Sequence, residues 1–266
     1  MKIFKNKSEL NTEIYLKKNI SFIPTMGGLH KGHVSLINKS KKLKGKTLVS
    51  IYVNPKQFNK REDFLRYPRN IKKDLNILKK LKVDYVYLPK TSDLFGFNPK
   101  NKIFMDKFSK KLCGKTRKGH FKGVLNVINR FLEIINPKYM LLGSKDFQQM
   151  FLIKKHIFRR KIRTIILSCE TVREKNGVAC STRNKNLTSR EMQIASKVFS
   201  YLKKNKKSPK ILKHKFSPTI YRLGISKIEY LEILNLKTLK KPKKINEKFN
   251  IFVAYYIGKI RLIDNI

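Results

Sequence analysis

Tryptophan is absent from this 266-residue chain, and acidic residues are scarce: 17 Asp and Glu stand against 63 Lys and Arg, a formal charge of +46. Cysteine is scarcer still. Cys113, Cys169 and Cys180 are an odd number, far apart, with no Cys-x-x-Cys pair among them. That argues against a disulfide framework and against a zinc site, and it fits a reducing compartment, so a cytoplasmic location is expected. No apolar run approaches the roughly 18–20 residues of a membrane span, so no membrane partner is expected. The N-terminal Met1-Lys2-Ile3-Phe4-Lys5-Asn6-Lys7 has charge but neither an apolar h-region nor a small-residue cleavage site, which argues against a secretory signal. Internal repeats and long low-complexity linkers are also missing.

The surplus of positive charge attracts any phosphate backbone. The lysines, however, are spread from Lys17-Lys18 through Lys41-Lys42 and Lys72-Lys73 to Lys240-Lys241, and Asn and Ile are abundant as well. Such a drift is what an AT-rich coding sequence leaves on tolerant surface positions, and it outweighs a dedicated nucleic-acid role. Non-specific adhesion to polyanions is expected; a specific nucleic-acid partner is not. Hydrophobic residues make up 41% of the chain. At this length folding should bury roughly 70–75% of the unfolded surface.

Apolar runs and turn residues alternate along most of the chain. Residues 1–19 read as a short strand and a helix. Ile20–Ile23 is a strand ending in Pro24, and a helix continues over Val34–Lys44. Thr47–Val53 is β-branched and aromatic, suits one buried strand, and is stopped by Asn54-Pro55. A helix over Ile71–Leu81 and a strand over Val83–Pro89 follow. Helix Val124–Ile135, strand Lys138–Leu142, helix Phe147–His156 and strand Arg163–Leu167 repeat the scheme, which predicts an α/β chain with a parallel sheet. Composition shifts after Arg173. Glu174-Lys175-Asn176-Gly177 is a turn cluster, Ser189–Lys203 a helix, and Asn205–Lys210 a charged connector. Ile228–Ile233, Asn250–Tyr256 and Lys259–Asp264 read as strands of a small sheet. A boundary near Glu174 therefore separates residues 1–174 from 175–266, with a cleft between.

The most informative stretch runs from Ile23 to Ile37, where a strand, the Gly27-Gly28 turn and a helix start succeed one another. Glycines let the backbone approach a ligand, and the unpaired N–H groups of a first helical turn face an anion. His30 and His33, three residues apart, share one helix face and can reach the same phosphate. Taken singly, each could be a surface or capping histidine; the turn before them favours the phosphate. Further stretches stand at strand ends, where open α/β sheets bind ligands. They are Asn54-Pro55-Lys56-Gln57-Phe58, the Gly- and base-rich Gly114–Val124, Gly143-Ser144-Lys145-Asp146-Phe147-Gln148-Gln149, and Cys180-Ser181-Thr182-Arg183-Asn184.

Together these segments resemble the pantothenate synthetase (pantoate–β-alanine ligase) family, within the HxGH nucleotidylyltransferase-like superfamily. That family shows P-T-M-G-A-L-H-x-G-H, V-N-P-x-Q-F, Y-P-R, R-x-G-H-F-x-G-V, G-E-K-D-x-Q-Q and V-R…S-S-R-N in this order. Here they stand as Pro24–His33, Val53–Phe58, Tyr67–Arg69, Arg117–Val124, Gly143–Gln149 and Val172–Asn184. Tyr230–Ile233 and Arg261–Asn265 echo the family's C-terminal Y-x-E-I and R-L-I-D-N. The resemblance covers nearly the whole chain. His-x-Gly-His alone would also suit a nucleotidylyltransferase or a class I tRNA synthetase.

The resemblance implies a Rossmann-like, doubly wound parallel sheet with a second, smaller α+β domain closing over the site. It implies ATP-dependent condensation of (R)-pantoate with β-alanine through a pantoyl adenylate, releasing pyrophosphate and then AMP, in pantothenate and coenzyme A biosynthesis. It also implies a homodimer, and Mg2+ accompanying ATP through phosphates and water rather than a protein metal site. By the same resemblance His33 is the general acid, and His30, Lys145 and Arg183 assist in neutralising the phosphates. The nucleotide would be held by Met26, Gly27, Gly28, Leu29, His30, Lys31, Gly32 and His33, by Gly143, Ser144, Lys145 and Asp146, by Val172, and by Cys180, Ser181, Thr182 and Arg183. Within that set Asp146 meets a ribose hydroxyl, Val172 meets adenine through its backbone, and Ser181 and Thr182 add hydroxyl donors. Gln57 and Gln149 would orient pantoate, and Gln57 also β-alanine, because amides donate and accept without adding charge.

His120 is left between lining the pantoate pocket and capping the helix that begins at Phe121. Cys180 reads as packing rather than reactive. Asp74 is a possible contact for the metal ion, against which the neighbouring Lys72 and Lys73 argue. The chain also departs from the family pattern. Ser144 stands in place of Glu, Lys118 in place of Pro, Thr182 in place of Ser and Asn176 in place of Asp. Loss of the proline loosens the Arg117–Phe121 loop, whereas most turns tolerate the Asn.

Overall fold

Side chains alternate across the central strands, and both faces of the sheet they form are covered. The computed structural model describes residues 1–17, 19–207, 216–244 and 246–266. The chain begins with β1 (Lys2–Phe4), α1 (Lys7–Ile14), β2 (Ile20–Thr25), α2 (Lys31–Lys41) and β3 (Lys46–Ile51). Next come α3 (Arg61–Leu65), α4 (Ile71–Lys80), β4 (Tyr85–Tyr87), α5 (Thr91–Phe95), α6 (Cys113–Thr116) and α7 (His120–Ile135). β5 (Tyr139–Gly143), α8 (Phe147–Arg159) and β6 (Ile165–Cys169) complete the first body.

The first sheet has six strands in the order β1-β4-β3-β2-β5-β6, all parallel. Ile20, Phe22, Leu48, Tyr85, Tyr87 and Met140 face a core shared with α1, α7 and α8. Their neighbours Ile23, Val49, Val86 and Leu141 face a second core shared with α2 and α4. Strands buried on both faces lose water from every side chain, and each fully buried Ile, Leu or Phe contributes roughly 1.5–3 kcal/mol. The chain leaves β2 toward β3 and β4 on one side, then returns to set β5 and β6 on the other. Strand order therefore reverses between β2 and β5, which lie side by side with Ser21 opposite Tyr139. Parallel strands put their carboxyl ends at one edge, so Thr25 and Gly143 both open onto the crevice where such sheets take ligands.

The long α7 stops where the sequence says it should. Asn136 adopts φ +45° at its C-cap, a left-handed conformation that asparagine tolerates, and Pro137 follows. The short α3, α5 and α6 were not anticipated, because four or five residues cannot display a helical period.

After β6, a hairpin over Val172–Cys180 turns at Glu174–Gly177 as expected, with Asn176 Oδ1 accepting from Val178 N at 3.2 Å. α9 (Ser189–Lys206) runs three residues beyond the expected helix and takes up Asn205 and Lys206 of the charged connector; Ser208, Pro209 and Lys210 lie outside the described residues. α10 (Ser217–Arg222) precedes the antiparallel β7 (Lys227–Asn235), β8 (Phe249–Ile257) and β9 (Ile260–Asn265). Ala195, Val198 and Leu202 of α9 pack on Ile251, Val253 and Tyr255 in a third core. The other face of this sheet meets the first body, with the Phe252 and Phe147 rings 5.3 Å apart. We propose a domain boundary near Glu174, dividing 1–174 from 175–266; the apolar cluster formed by Val178, α9, α10 and the second sheet, all beyond that point, supports it. No helix among the described residues is long and apolar enough to cross a membrane.

His156 of α8 is fully buried against α7. Its Nδ1 accepts from Phe104 N at 3.1 Å and its Nε2 donates to Asn129 Oδ1 at 3.0 Å. Burial and the nearby Arg160 pull its pKa from 6.5 to about 4. Between those values the unfolded chain binds the extra proton, so this stability is present above 6.5 and is lost as the pH falls through about 4. By about pH 5 the loss is about 2 kcal/mol, ahead of most carboxylate titration. The urea midpoint should therefore fall between about pH 7 and about pH 5, and fall less in His156→Gln, whose amide makes both bonds without titrating. Equal falls in parent and variant would show that His156 does not stay neutral.

Candidate active site

The turn after β2 is held from below by a buried carboxylate. Gly27 and Gly28 both have positive φ, +75° and +63°, and at both a Cβ would have no room. It would come 2.9 Å from Asp74 Oδ2 at Gly27, and 2.4 Å from Thr182 Cγ2 at Gly28. Asp74, on α4 and 2% exposed, accepts from Gly28 N through Oδ2 and from Leu29 N through Oδ1, both at 2.8 Å. Its two oxygens are thus committed to backbone N–H groups. The possibility of a metal contact raised from the sequence finds no support in this geometry: Asp74 shapes the turn.

That turn delivers His30 as the N-cap of α2. His30 Nδ1 accepts from Gly32 N at 3.1 Å, and His33 Nδ1 accepts from His30 N at 3.3 Å, a reciprocal cap built from two imidazoles. A neutral ring that accepts at Nδ1 carries its hydrogen on Nε2. Both rings, 4.1 Å apart between centroids, therefore have an Nε2–H left for a ligand. Burial, with Lys145 nearby, lowers the pKa of His30 to about 4. Burial, then His30 and Lys145, lowers that of His33 to about 3. Each is a neutral donor at pH 7.

The N-terminus of α7 holds the loop that follows β3. His120 Nδ1 donates to Gln57 O at 2.7 Å, and its Nε2 accepts from Arg117 NH1 at 3.1 Å. Arg117 NH2 donates to the same carbonyl at 3.2 Å. His120 thus lines the cavity and also fixes Gln57, while burial lowers its pKa to about 3. The side-chain amide of Gln57 lies against Met26 Sδ. Of the paired glutamines, Gln148 is structural: it donates to Phe108 O and Lys111 O at 2.8 and 2.7 Å and accepts from Cys113 N at 3.1 Å. Gln149, one residue on, lines the cavity. Arg117 was not assigned a role from the sequence. Burial, Arg261 and Arg183 lower its pKa to about 10, so it remains a cation and adds a guanidinium to the wall.

The cavity, of about 280 Å³, spans the β2–β5 crevice and reaches the second sheet. Met26, His30, Gly32, His33, Gln57, Gly143, Lys145, Asp146 and Gln149 line it, as do Val172, Cys180, Ser181, Thr182 and Arg183. Gly27, Gly28, Leu29, Lys31 and Ser144 do not line it. Lys31 instead pairs with Glu174 at 2.8 Å, and Ser144 Oγ meets Ser168 Oγ at 2.8 Å. Ser181 Oγ caps its own turn by accepting from Arg183 N at 3.3 Å. Thr182 Oγ1 donates to Gly28 O at 3.2 Å, so its donor secures the glycine turn. Arg183 is engaged by Asp63 of α3, through NH2 contacts of 2.9 and 3.1 Å. Cys180 is buried and donates to Glu174 Oε1 at 3.2 Å; burial and that carboxylate push its thiol up to about 11, as an inert packing residue requires. Among the described residues no group of three or more His, Cys, Asp or Glu is placed to hold a metal ion.

Comparison with known proteins agrees along the whole chain. The family model described as pantoate-beta-alanine ligase matches residues 2–266. The pantothenate synthetase of Endomicrobium trichonymphae is 41% identical, covering 100% of this chain and 97% of the relative. That of Pseudothermotoga lettingae is 36% identical, covering 100% and 98%. Among solved structures, pantoate-beta-alanine ligase from Francisella tularensis, complexed with beta-gamma ATP and beta-alanine, superposes with a TM-score of 0.86 at 36% identity. It covers 100% of this chain and 97% of its own. Pantothenate synthetase from Thermus thermophilus gives 0.89 at 26% identity, covering 100% and 99%. The chain belongs to the pantoate–β-alanine ligase family, whose members use ATP to join pantoate to β-alanine through a new C–N bond.

Proposed function

We propose that this ligase works through a pantoyl adenylate formed at the β2–β5 crevice. The single observation that carries the reading is the pair of Nε2–H donors of His30 and His33 beside the charge of Lys145. ATP lies along the Met26–His33 turn with its phosphates between the two imidazoles, Lys145 and Arg183. Asp146 meets a ribose hydroxyl, and the backbone at Val172 meets adenine. An oxygen of the pantoate carboxylate attacks the α-phosphorus. The bond from that phosphorus to the bridging oxygen breaks, and pyrophosphate leaves with the electron pair. The amine of β-alanine then attacks the acyl carbon, AMP leaves, and the surplus amine proton passes to solvent. Gln57 and Gln149 orient pantoate, Gln57 also meets β-alanine, and Arg117 supplies a guanidinium for a substrate carboxylate.

Neutral imidazoles suit this task, since donating to a phosphate oxygen needs a hydrogen and not a charge. Lys145 supplies the charge as a point, and Arg183 as a fork once phosphate replaces Asp63. The bound polyphosphate in turn raises the proton affinity of both histidines, which fits His33 to donate to the departing pyrophosphate. Magnesium enters with ATP, held by phosphate oxygens and water. Three free, buried cysteines support a cytoplasmic setting. We read the enzyme as a homodimer, a reading supported by the edge position of β6 with its 50% exposed Ile165 and by the 82% exposed Phe158 of α8.

His33→Ala should reduce pantoate-dependent ATP–pyrophosphate exchange at least about 100-fold, the scale of a lost transition-state donor, while loss of its capping bond to His30 N costs only about 1 kcal/mol and leaves the protein folded. Near-normal exchange would overturn the site assignment. For the parent, kcat/KM for ATP at saturating magnesium should stay level from about pH 8 to about pH 6, because free-enzyme imidazoles with lowered pKa values are already neutral. A fall near 6.5 would mean that an ordinary histidine controls the step. Asp74→Asn sets an amide N–H against a backbone N–H in a buried place. It should cost about 1–3 kcal/mol of stability and raise the KM for ATP roughly tenfold; unchanged values of both would detach Asp74 from the turn.

A further inference from the structure

The end of β9 carries residues to which the reaction gives no work. Asn265 is 7% exposed, and its amide is fully matched. Nδ2 donates to Ser144 O at 2.9 Å and to Lys145 O at 2.8 Å, while Oδ1 accepts from Asn250 Nδ2 at 3.0 Å. Two carbonyls on one side fix which end of the amide is nitrogen. The adjacent Asp264 accepts from Arg173 NH1 at 2.6 Å and from NH2 at 3.0 Å. Arg173 follows Val172 directly and lies 4.3 Å over the Phe199 ring. One strand end thus grips the turn that bears Lys145 and also the residue next to Val172.

Lys145 has no salt bridge among the described residues, so its ammonium is aimed by its backbone. That backbone is a single 3-10 turn, Ser144–Asp146, preceded by Gly143, where an added Cβ would meet nothing within 4 Å. Packing does not wedge the turn at Gly143; the Asn265 amide spans two successive carbonyls of the turn itself. An asparagine side chain suits the job, since both its hydrogens are fixed in one plane and neither requires a charge.

We propose that Asn265 is a positioning residue for Lys145, by which the C-terminal sheet sets the phosphate-binding turn of the first body. The proposal rests on the reading that Lys145 meets the phosphates of ATP. A group displaced by about 1 Å can lower rate by up to about 100-fold, so a partly released turn should show a loss of roughly tenfold. In Asn265→Ala, kcat/KM for ATP falls roughly tenfold, while KM for pantoate and inhibition by adenosine, which has no phosphate, stay within about twofold. The effect disappears when Lys145→Ala is already present, because two residues acting through one group do not add.

The four proteins of this double-mutant cycle separate the possibilities. A Lys145→Ala enzyme as active as the parent would remove the phosphate reading. Impaired Lys145→Ala together with unimpaired Asn265→Ala, or with a full additional loss in the double variant, would sink the positioning role alone. Equal weakening of adenosine and ATP would also sink it, by showing a merely structural residue. Should Asn265→Ala fail to fold, Asn265→Ser, which keeps one donor, replaces it in the same cycle under the same criteria.

Discussion

The bond of Asp74 to two successive backbone N–H groups is the constraint from which the site follows. Without it the chain leaving β2 has two glycines and little to choose one path over another. With it, Gly28 N and Leu29 N are both turned toward α4 at 2.8 Å, and the next residue falls where a helix must start. His30 then caps α2, and His33 caps it in return. A charge-assisted pair of this kind is stronger than neutral hydrogen bonds, and its burial keeps it from exchanging with water.

The chain's few acids are largely committed in the same manner. Asp74 holds the glycine turn, Asp264 holds Arg173, and Glu229 holds Arg261 at 2.5 Å. Asp63 holds Arg183. Little carboxylate is left over to oppose Lys145 and Arg117. Apart from Asp146 and Glu170, which line the crevice without an ion pair among the described residues, its anions face backbone and guanidinium groups, and this, more than the chain's overall +46, is what a triphosphate and two carboxylate substrates require. The histidines fit the same scheme. A charged imidazole beside Lys145 would suffer repulsion and desolvation, so both rings are neutral and contribute directed N–H groups.

Much of this was legible in the sequence. β-branched runs separated by amphipathic stretches located most strands of the first sheet, and glycine pairs with ordered motifs located His30, His33, Gln57, Lys145 and Arg183. Local patterns carry that information because neighbours in sequence cooperate to make it. What was not legible depends on residues distant in sequence. Asp74 read as a possible metal contact disfavoured by Lys72 and Lys73, and only the packing of α4 against the turn shows its oxygens to be used. Arg117 was hidden among many cations. His120 could not be divided between cap and pocket until Gln57 O was seen 2.7 Å from its Nδ1. Asn265 stood in a recognisable segment, but its partners, Ser144 O and Lys145 O, follow a strand of the other sheet.

Two departures from the family pattern meet at one contact. Where the family's P-T-M-G-A-L has alanine, this chain has Gly28; where its S-S-R-N has the second serine, this chain has Thr182. A Cβ on Gly28 would stand 2.4 Å from Thr182 Cγ2, a distance no carbon pair accepts, whereas serine has no such methyl group. The space occupied by a methyl group is thus filled from the other side of the contact. Volume at the packed turn is kept, as close-packed interiors require. The hydroxyl common to serine and threonine still reaches Gly28 O, at 3.2 Å. Read singly, glycine at 28 would look like a looser turn and threonine at 182 like a neutral exchange. Read together, they hold the same turn against the same hydroxyl, with the methyl group moved from one chain segment to the other.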